Sequence, residues 1–292
     1  MLTPKKKKIC EASVPAIEII AKGRPDAEVT VLCDHGHADI WTDNKNQFRI
    51  IEKSDWTSTL RKVITESEFD VAIMFNLSNE DAINFLQDRA ERAGKTDPYH
   101  HAITRPIPVE REATHRAISL AEIAGVPLTI VHVSNGEVMQ EIVRARQRGL
   151  TVFAETCPQY ITLTANDLDK DGFDGAKYVC SPPPRTSEEW PKIWAGIEQR
   201  TFDLFSSDHC PFRFASAAGK NAPGARSNFR NIPNGIPGVE TRLPILFSEG
   251  VVKGRISLER FAELTATNHF QSYSRCVYIY TCGCMYKYIC KC

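Results

Sequence analysis

Hydrophobic positions in the middle of the chain follow two rhythms. Short strand-like runs at Val71 to Phe75, Val126 to Val133 and Thr151 to Ala154 have the length of buried strands. Between and after them, Asp81 to Arg92, Glu110 to Ala124 and Glu137 to Arg148 repeat apolar residues at helical spacing. Gly94, Gly125 and Gly149 stand where left-handed caps would close these helices. Further helices are expected over Ser187 to Gln199 and over about residues 239–250 and 257–267. Thr96 to Pro108, with three prolines, reads as an irregular loop, and Tyr178 to Arg185, with three consecutive prolines, as a rigid one. Residues 213–230, rich in Gly, Ala and Asn, read as a mobile loop. Strands alternating with helices, with polar residues gathered after each strand, are the βαβ unit of a parallel sheet. Residues 1–70 carry a weaker α/β signal, with strand-like Glu28 to Cys33 and Phe48 to Ile51 and helix-like Ala12 to Lys22 and Trp56 to Ile64.

Two strand ends carry candidate chemistry. His132 lies near the carboxyl end of Val126 to Val133. The run from Phe202 stops at Ser207-Asp208-His209, and Pro211 prevents its continuation. An acid at the carboxyl end of a buried strand is where α/β barrels place their chemistry. The alternative is that Asp208 caps a turn. A barrel is favoured over an open doubly wound sheet, because it lets His132 and Asp208 converge on one face. His35 and His37, two apart at the end of a strand-like run, face one side and suit a shared metal. A chance pair on a surface turn is the preferred reading of them.

Composition narrows the class. The 292 residues hold one large α/β domain or two smaller ones, and 42% hydrophobic with 25% charged residues is the make-up of a globular chain. Lys plus Arg equals Asp plus Glu at 36 each, so no global field draws nucleic acid or an acidic membrane. No apolar run approaches the roughly 20 residues that cross a bilayer. Lys5 to Lys8 have no apolar signal core behind them, so a cytoplasmic location is expected, with the lysines as a solvated end. Of ten cysteines, Cys10, Cys33, Cys157, Cys180 and Cys210 are scattered, as free thiols are in a cytosolic enzyme. The other five, Cys276, Cys282, Cys284, Cys290 and Cys292, crowd the last 17 residues.

Six motifs in order carry a resemblance. They are His132-Val133-Ser134, Glu155-Thr156-Cys157-Pro158-Gln159-Tyr160, Gly175 to Pro183, Ser207 to Phe212, Ile232 to Glu240, and Ala266-Thr267-Asn268. Over Asp70 to Asn268 the chain resembles the dihydropyrimidinase/hydantoinase branch of the cyclic amidohydrolases. The resemblance implies a (β/α)8 barrel of the TIM type beside a small β-sandwich, with two zinc ions at the barrel mouth. It implies hydrolysis of a cyclic amide such as a dihydropyrimidine or a 5-substituted hydantoin, by a metal-activated hydroxide. Asp208 then corresponds to a metal ligand and general acid/base, and His132 to a ligand of the second zinc. Ser181 and Asn234 match the substrate clamp, and assembly as a homotetramer is the family habit.

The departures are as informative. Asn76 falls where the family has a zinc-binding histidine, and Ser78 where it has an acid. The 38 residues between His37 and Asn76 cannot hold three βα units of about 30 residues each. The chain therefore reads as the carboxyl-terminal half of the barrel (70–268), behind a divergent α/β segment (1–69), with no complete β-sandwich. Residues 269–292 use the Tyr, Cys, Ile and Lys alphabet of translated AT-rich non-coding sequence. A gene-model read-through is preferred there over a metal-binding tail. Two of six metal positions, His132 and Asp208, survive, whereas a catalytic zinc has three protein ligands plus water. A non-catalytic dihydropyrimidinase-related protein, or an inactive fragment, acting through protein assembly is the alternative function.

Overall fold

Leu128, Thr129 and Ile130 are inaccessible to solvent, as befits a parallel strand flanked on both edges. They form β4 of a sheet in a computed structural model that describes residues 79–269 and four strand segments outside them. The strands are β1 (Glu28–Asp34), β2 (Phe48–Lys53), β3 (Val71–Met74), β4 (Leu128–Ile130), β5 (Val152–Thr156), β6 (Leu204–Phe205) and β7 (Lys287–Lys291). Their order is β2-β1-β7-β3-β4-β5-β6, with β7 antiparallel to both neighbours and the other pairs parallel. From β3 to β6 each strand lies beside the one before it in the chain. That part of the sheet grows in one direction, whereas a doubly wound sheet reverses.

Helices fill the connections: α1 (Glu80–Arg92), α2 (Tyr99–Ile103) and α3 (Ile107–Ala124) before β4, α4 (Gly136–Gln147) before β5, then α5 (Gln159–Thr162) and α6 (Trp190–Glu198) before β6. After β6 come α7 (Arg242–Leu246) and α8 (Leu258–Ala262), each running on into wider π-helical turns at 247–252 and 263–267. The expected α/β alternation is present. Asn79 caps α1 and Asn135 caps α4, each side-chain oxygen accepting from the N–H three residues on. Gly125 closes α3 at φ 67°.

One apolar cluster joins α3 through Ala113, Ala117 and Ile118, β4, α4 through Val138 and Ile142, and α6 through Ile193 and Ile197. Each buried aliphatic side chain of this kind stabilises the fold by roughly 1.5–3 kcal/mol. Phe202 and Phe205 fill the β6 side of the cluster. A methyl on Gly196 would lie 2.3 Å from the Met139 methyl carbon, so glycine lets α6 close on α4.

Three expectations need correction. Thr96 to Pro108 is not an irregular loop: Pro98 and Pro106 precede α2 and α3, and Pro108 sits in the first turn of α3, where a missing N–H costs nothing. Residues 213–230 are not loop surface throughout: Ala222, Ala225 and Phe229 are buried in a second cluster with Leu168, Phe173 and Val179, with exposed residues between them. Cys157 and Cys180 are buried free thiols, but Cys210, partly exposed, is disulfide-bonded. His35, His37, Asn76 and Ser78 lie outside the described residues, as does the tail apart from β7.

Candidate active site

Parallel pairing brings the carboxyl ends of β4, β5 and β6 to one edge. Ile130 pairs with Ala154, and Thr156 with Phe205. His132 follows β4 by two residues and Asp208 follows β6 by three. Both adopt the left-handed backbone region, at φ 45° and 44°. Such a conformation costs a non-glycine residue of order 1–3 kcal/mol and persists only where its surroundings enforce it. Here they do. Val133 N–H donates to Glu155 O at 2.8 Å, the Thr156 hydroxyl donates to Val133 O at 2.9 Å, and Ser206 N–H donates to Thr156 O at 3.1 Å.

Behind His132 lies a buried ionic knot. Glu110, on α3, accepts from Ser134 N–H (3.1 Å), Asn135 Nδ2 (2.9 Å), Arg185 Nη2 (2.7 Å) and the Ser134 hydroxyl. Arg185 also donates to Ser134 Oγ at 2.9 Å and to Arg105 O. Burial holds the His132 imidazole down, to about 4, with the Glu110 carboxylate pulling weakly the other way. At neutral pH His132 is an uncharged ring with a free lone pair.

At the end of β6 burial works on an acid. Asp208 is raised to about 8, first by desolvation and then by the Glu155 carboxylate on the neighbouring strand. Glu155 is itself buried and accepts from the Ser206 hydroxyl at 2.7 Å, with the Cys157 thiol 3.9 Å away. Asp208 is therefore a proton-bearing group near neutrality unless a cation stands beside it.

Ser181 and Asn234 meet directly, Ser181 Oγ donating to Asn234 Oδ1 at 3.2 Å. Their loops are further joined by Gly235 N–H donating to Val179 O at 3.0 Å. Gly235 is required: at φ 138° an added Cβ would lie 2.5 Å from Cys210 O.

All four residues singled out from the sequence thus lie around the carboxyl end of the sheet or on the loops paired there. Among the described residues, however, no three His, Cys, Asp or Glu side chains gather to hold a metal ion. His132 and Asp208 stand on strands separated by β5. Sequence reasoning did not single out Glu155, Glu110, Arg185, His101 or Lys220. Glu155 lay inside a recognised motif, and its place on the strand between His132 and Asp208 was the available signal.

The comparisons fit this geometry. The chain is 42% identical over 220 residues to the D-hydantoinase of Rhizobium radiobacter, covering 75% of this chain and 47% of the relative. It is 45% identical over 195 residues to that of Ralstonia pickettii, covering 67% and 42%. Over that span the chain is homologous to the D-hydantoinases. Among solved structures, D-hydantoinase from a Bacillus species superposes with a TM-score of 0.70 at 37% identity, over 82% of this chain and 49% of that one. Dihydropyrimidinase from Brevibacillus agri gives 0.71 at 31% identity, over 86% and 64%. The chain spans about half the length of the curated hydantoinases it matches. No family model matches it.

Proposed function

We propose that this chain carries the carboxyl-terminal portion of a hydantoinase-type site that hydrolyses a cyclic amide, a dihydropyrimidine or a 5-substituted hydantoin. The observation that carries the reading is the pair His132 and Asp208. They are two strained strand-end residues that burial holds uncharged, in a chain homologous to D-hydantoinases. As a carboxylate, Asp208 would take a proton from the attacking water and pass it to the ring nitrogen as the C–N bond breaks. Ser181 and Asn234, on loops ordered before substrate arrives, hold the imide edge at little further entropic cost.

His132 and Asp208 are the described residues that would hold zinc. A bound zinc supplies a hydroxide at neutral pH and polarises the carbonyl. A catalytic zinc has three protein ligands, so these two alone do not fit the pair of ions that the resemblance implies. The reading extends to a half-barrel at 70–268 flanked by the segments 1–69 and 269–292, a homotetrameric assembly and a cytoplasmic location. The singly wound order β3-β4-β5-β6 supports the half-barrel.

The test is hydrolysis of hydantoin and dihydrouracil by the purified chain, with zinc per chain measured on the same sample. Turnover that disappears in Asp208→Ala is expected. No turnover by the parent chain at any zinc loading, or turnover unchanged in Asp208→Ala, overturns the proposal.

A further inference from the structure

The two clamp loops are short of hydrogen-bond donors. Pro182, Pro183, Pro184, Pro233 and Pro237 contribute no N–H, yet the segment from Val179 to Arg185 is buried apart from partly exposed Ser181, and Pro233 is buried. Buried carbonyls left unpaired would be costly. Donors come from side chains elsewhere in the chain. Tyr160 donates its hydroxyl to Pro182 O at 3.1 Å, and His101 its Nε2–H to Cys180 O at 2.8 Å. Lys220 is the only one of these donors that touches both loops. Its Nζ donates to Val179 O and to Pro233 O, each at 2.7 Å.

Val179 O thus accepts from Lys220 and from Gly235 N–H together, and Pro233 O, one residue before Asn234, is fixed by the same ammonium. Lys220 is 2% exposed, almost its whole length sunk among the loops, with the Phe212 ring 5.6 Å from its Nζ. A lysine costs more to bury than any apolar residue of its volume. The two carbonyls it satisfies belong to the residues that set the spacing between Ser181 and Asn234. Neither Lys220 nor His101 touches the strand-end pair.

We propose that Lys220 is a positioning residue for substrate binding: its ammonium bridges Val179 O and Pro233 O and thereby fixes the separation of Ser181 and Asn234. This rests on the reading of those two residues as a clamp for the cyclic imide edge. Lys220 meets no substrate and takes part in no chemical step. It acts on binding through the turn at Pro233 to Gly235.

Amide hydrogen exchange on the full chain tests the bridge without requiring activity. Lys220→Met keeps the length of the side chain and removes both donated bonds. Exchange at Gly235 and at Val179, Cys180 and Ser181 is expected to rise at least tenfold, with α4 (136–147) unchanged. Binding of hydantoin is expected to weaken about tenfold, with KM raised and kcat changed much less. Unchanged exchange at Gly235, or a rise spread equally over α4, overturns the proposal, because Lys220 would then be a general core residue. Lys220→Gln, which keeps an amide donor in a smaller volume, covers the case in which the methionine variant does not fold. It is expected to give the same localised rise, reduced in size, and a rise that is absent or shared with α4 overturns the proposal. If the parent chain binds no hydantoin, the functional reading fails while the exchange result still decides the role of Lys220.

Discussion

The ends of β4 and β6 have the same backbone irregularity and opposite support. His132 is braced from behind by a buried carboxylate with four donors, so its loop is fixed by ionic bonds to α3 and to Arg185. Among the described residues Asp208 has no comparable ionic brace: it faces a second carboxylate, and the chain beyond it is fixed by Cys210 N–H donating to Ile236 O at 2.9 Å and by Gly238 N–H donating to His209 Nδ1 at 3.0 Å. Low dielectric acts on both and suppresses both charges. On a base that leaves a free lone pair, and on an acid it leaves a proton. One physical cause thus shifts a base and an acid in opposite directions on the same edge.

The largest expected effect breaks the β4 side. Glu110→Ala leaves the Arg185 guanidinium buried without its partner, and a loss of about 3–5 kcal/mol in stability by urea denaturation is expected. On the β6 side, Gly235→Ala forces a Cβ against Cys210 O and is expected to cost about 2 kcal/mol, with hydantoin binding weakened as well.

Stability against pH, measured on metal-free protein, sharpens the contrast. Between about 4 and 6.5 the unfolded chain holds a proton on His132 that the folded chain lacks, so that group adds stability as pH rises. Between about 4 and 8 the folded chain holds a proton on Asp208 that the unfolded chain lacks, so that group removes stability as pH rises. The two oppose below 6.5. From 6.5 to 8 Asp208 acts without opposition from His132, with a slope of at most about 1.4 kcal/mol per pH unit. Asp208→Asn is expected to flatten that window, and His132→Asn to weaken the opposing rise below pH 6.5, where buried His101, also held below its usual range, still acts against Asp208. An Asp208→Asn profile identical to that of the parent would show that the acid is ionised throughout. The smallest effect is expected from Thr156→Val, which removes one of the ties between β5 and the His132 loop and is expected to lower stability by about 1 kcal/mol.

Periodicity made most of the scaffold legible. The α1, α3 and α4 helices, with β4 and β5, fall within a few residues of their expected places, because apolar spacing and glycine caps are local signals. What stayed hidden was set by long-range pairing. Prolines at 98, 106 and 108 read as helix breakers and are helix starters, which concealed α2 and with it His101. Residues 213–230 read as mobile because Ala, Gly and Asn recur there, yet Lys220 and Phe229 are buried there by partners far away in the chain. His132, Asp208, Ser181 and Asn234 came from motifs. Their supporting residues came only from three-dimensional contacts.

The donor-poor loops also bear on folding order. Lys220 reaches 41 positions back to Val179, His101 reaches 79 positions forward to Cys180, and Glu110 pairs with Arg185 across 75. Contacts of such sequence separation form slowly, because loop closure must precede any gain from them. The α3–α4 and β4–β5 pairs join nearer neighbours and can assemble first. The site is then the last region to close during folding and the first to open under mild denaturant, while α3, β4 and α4 still protect their amides.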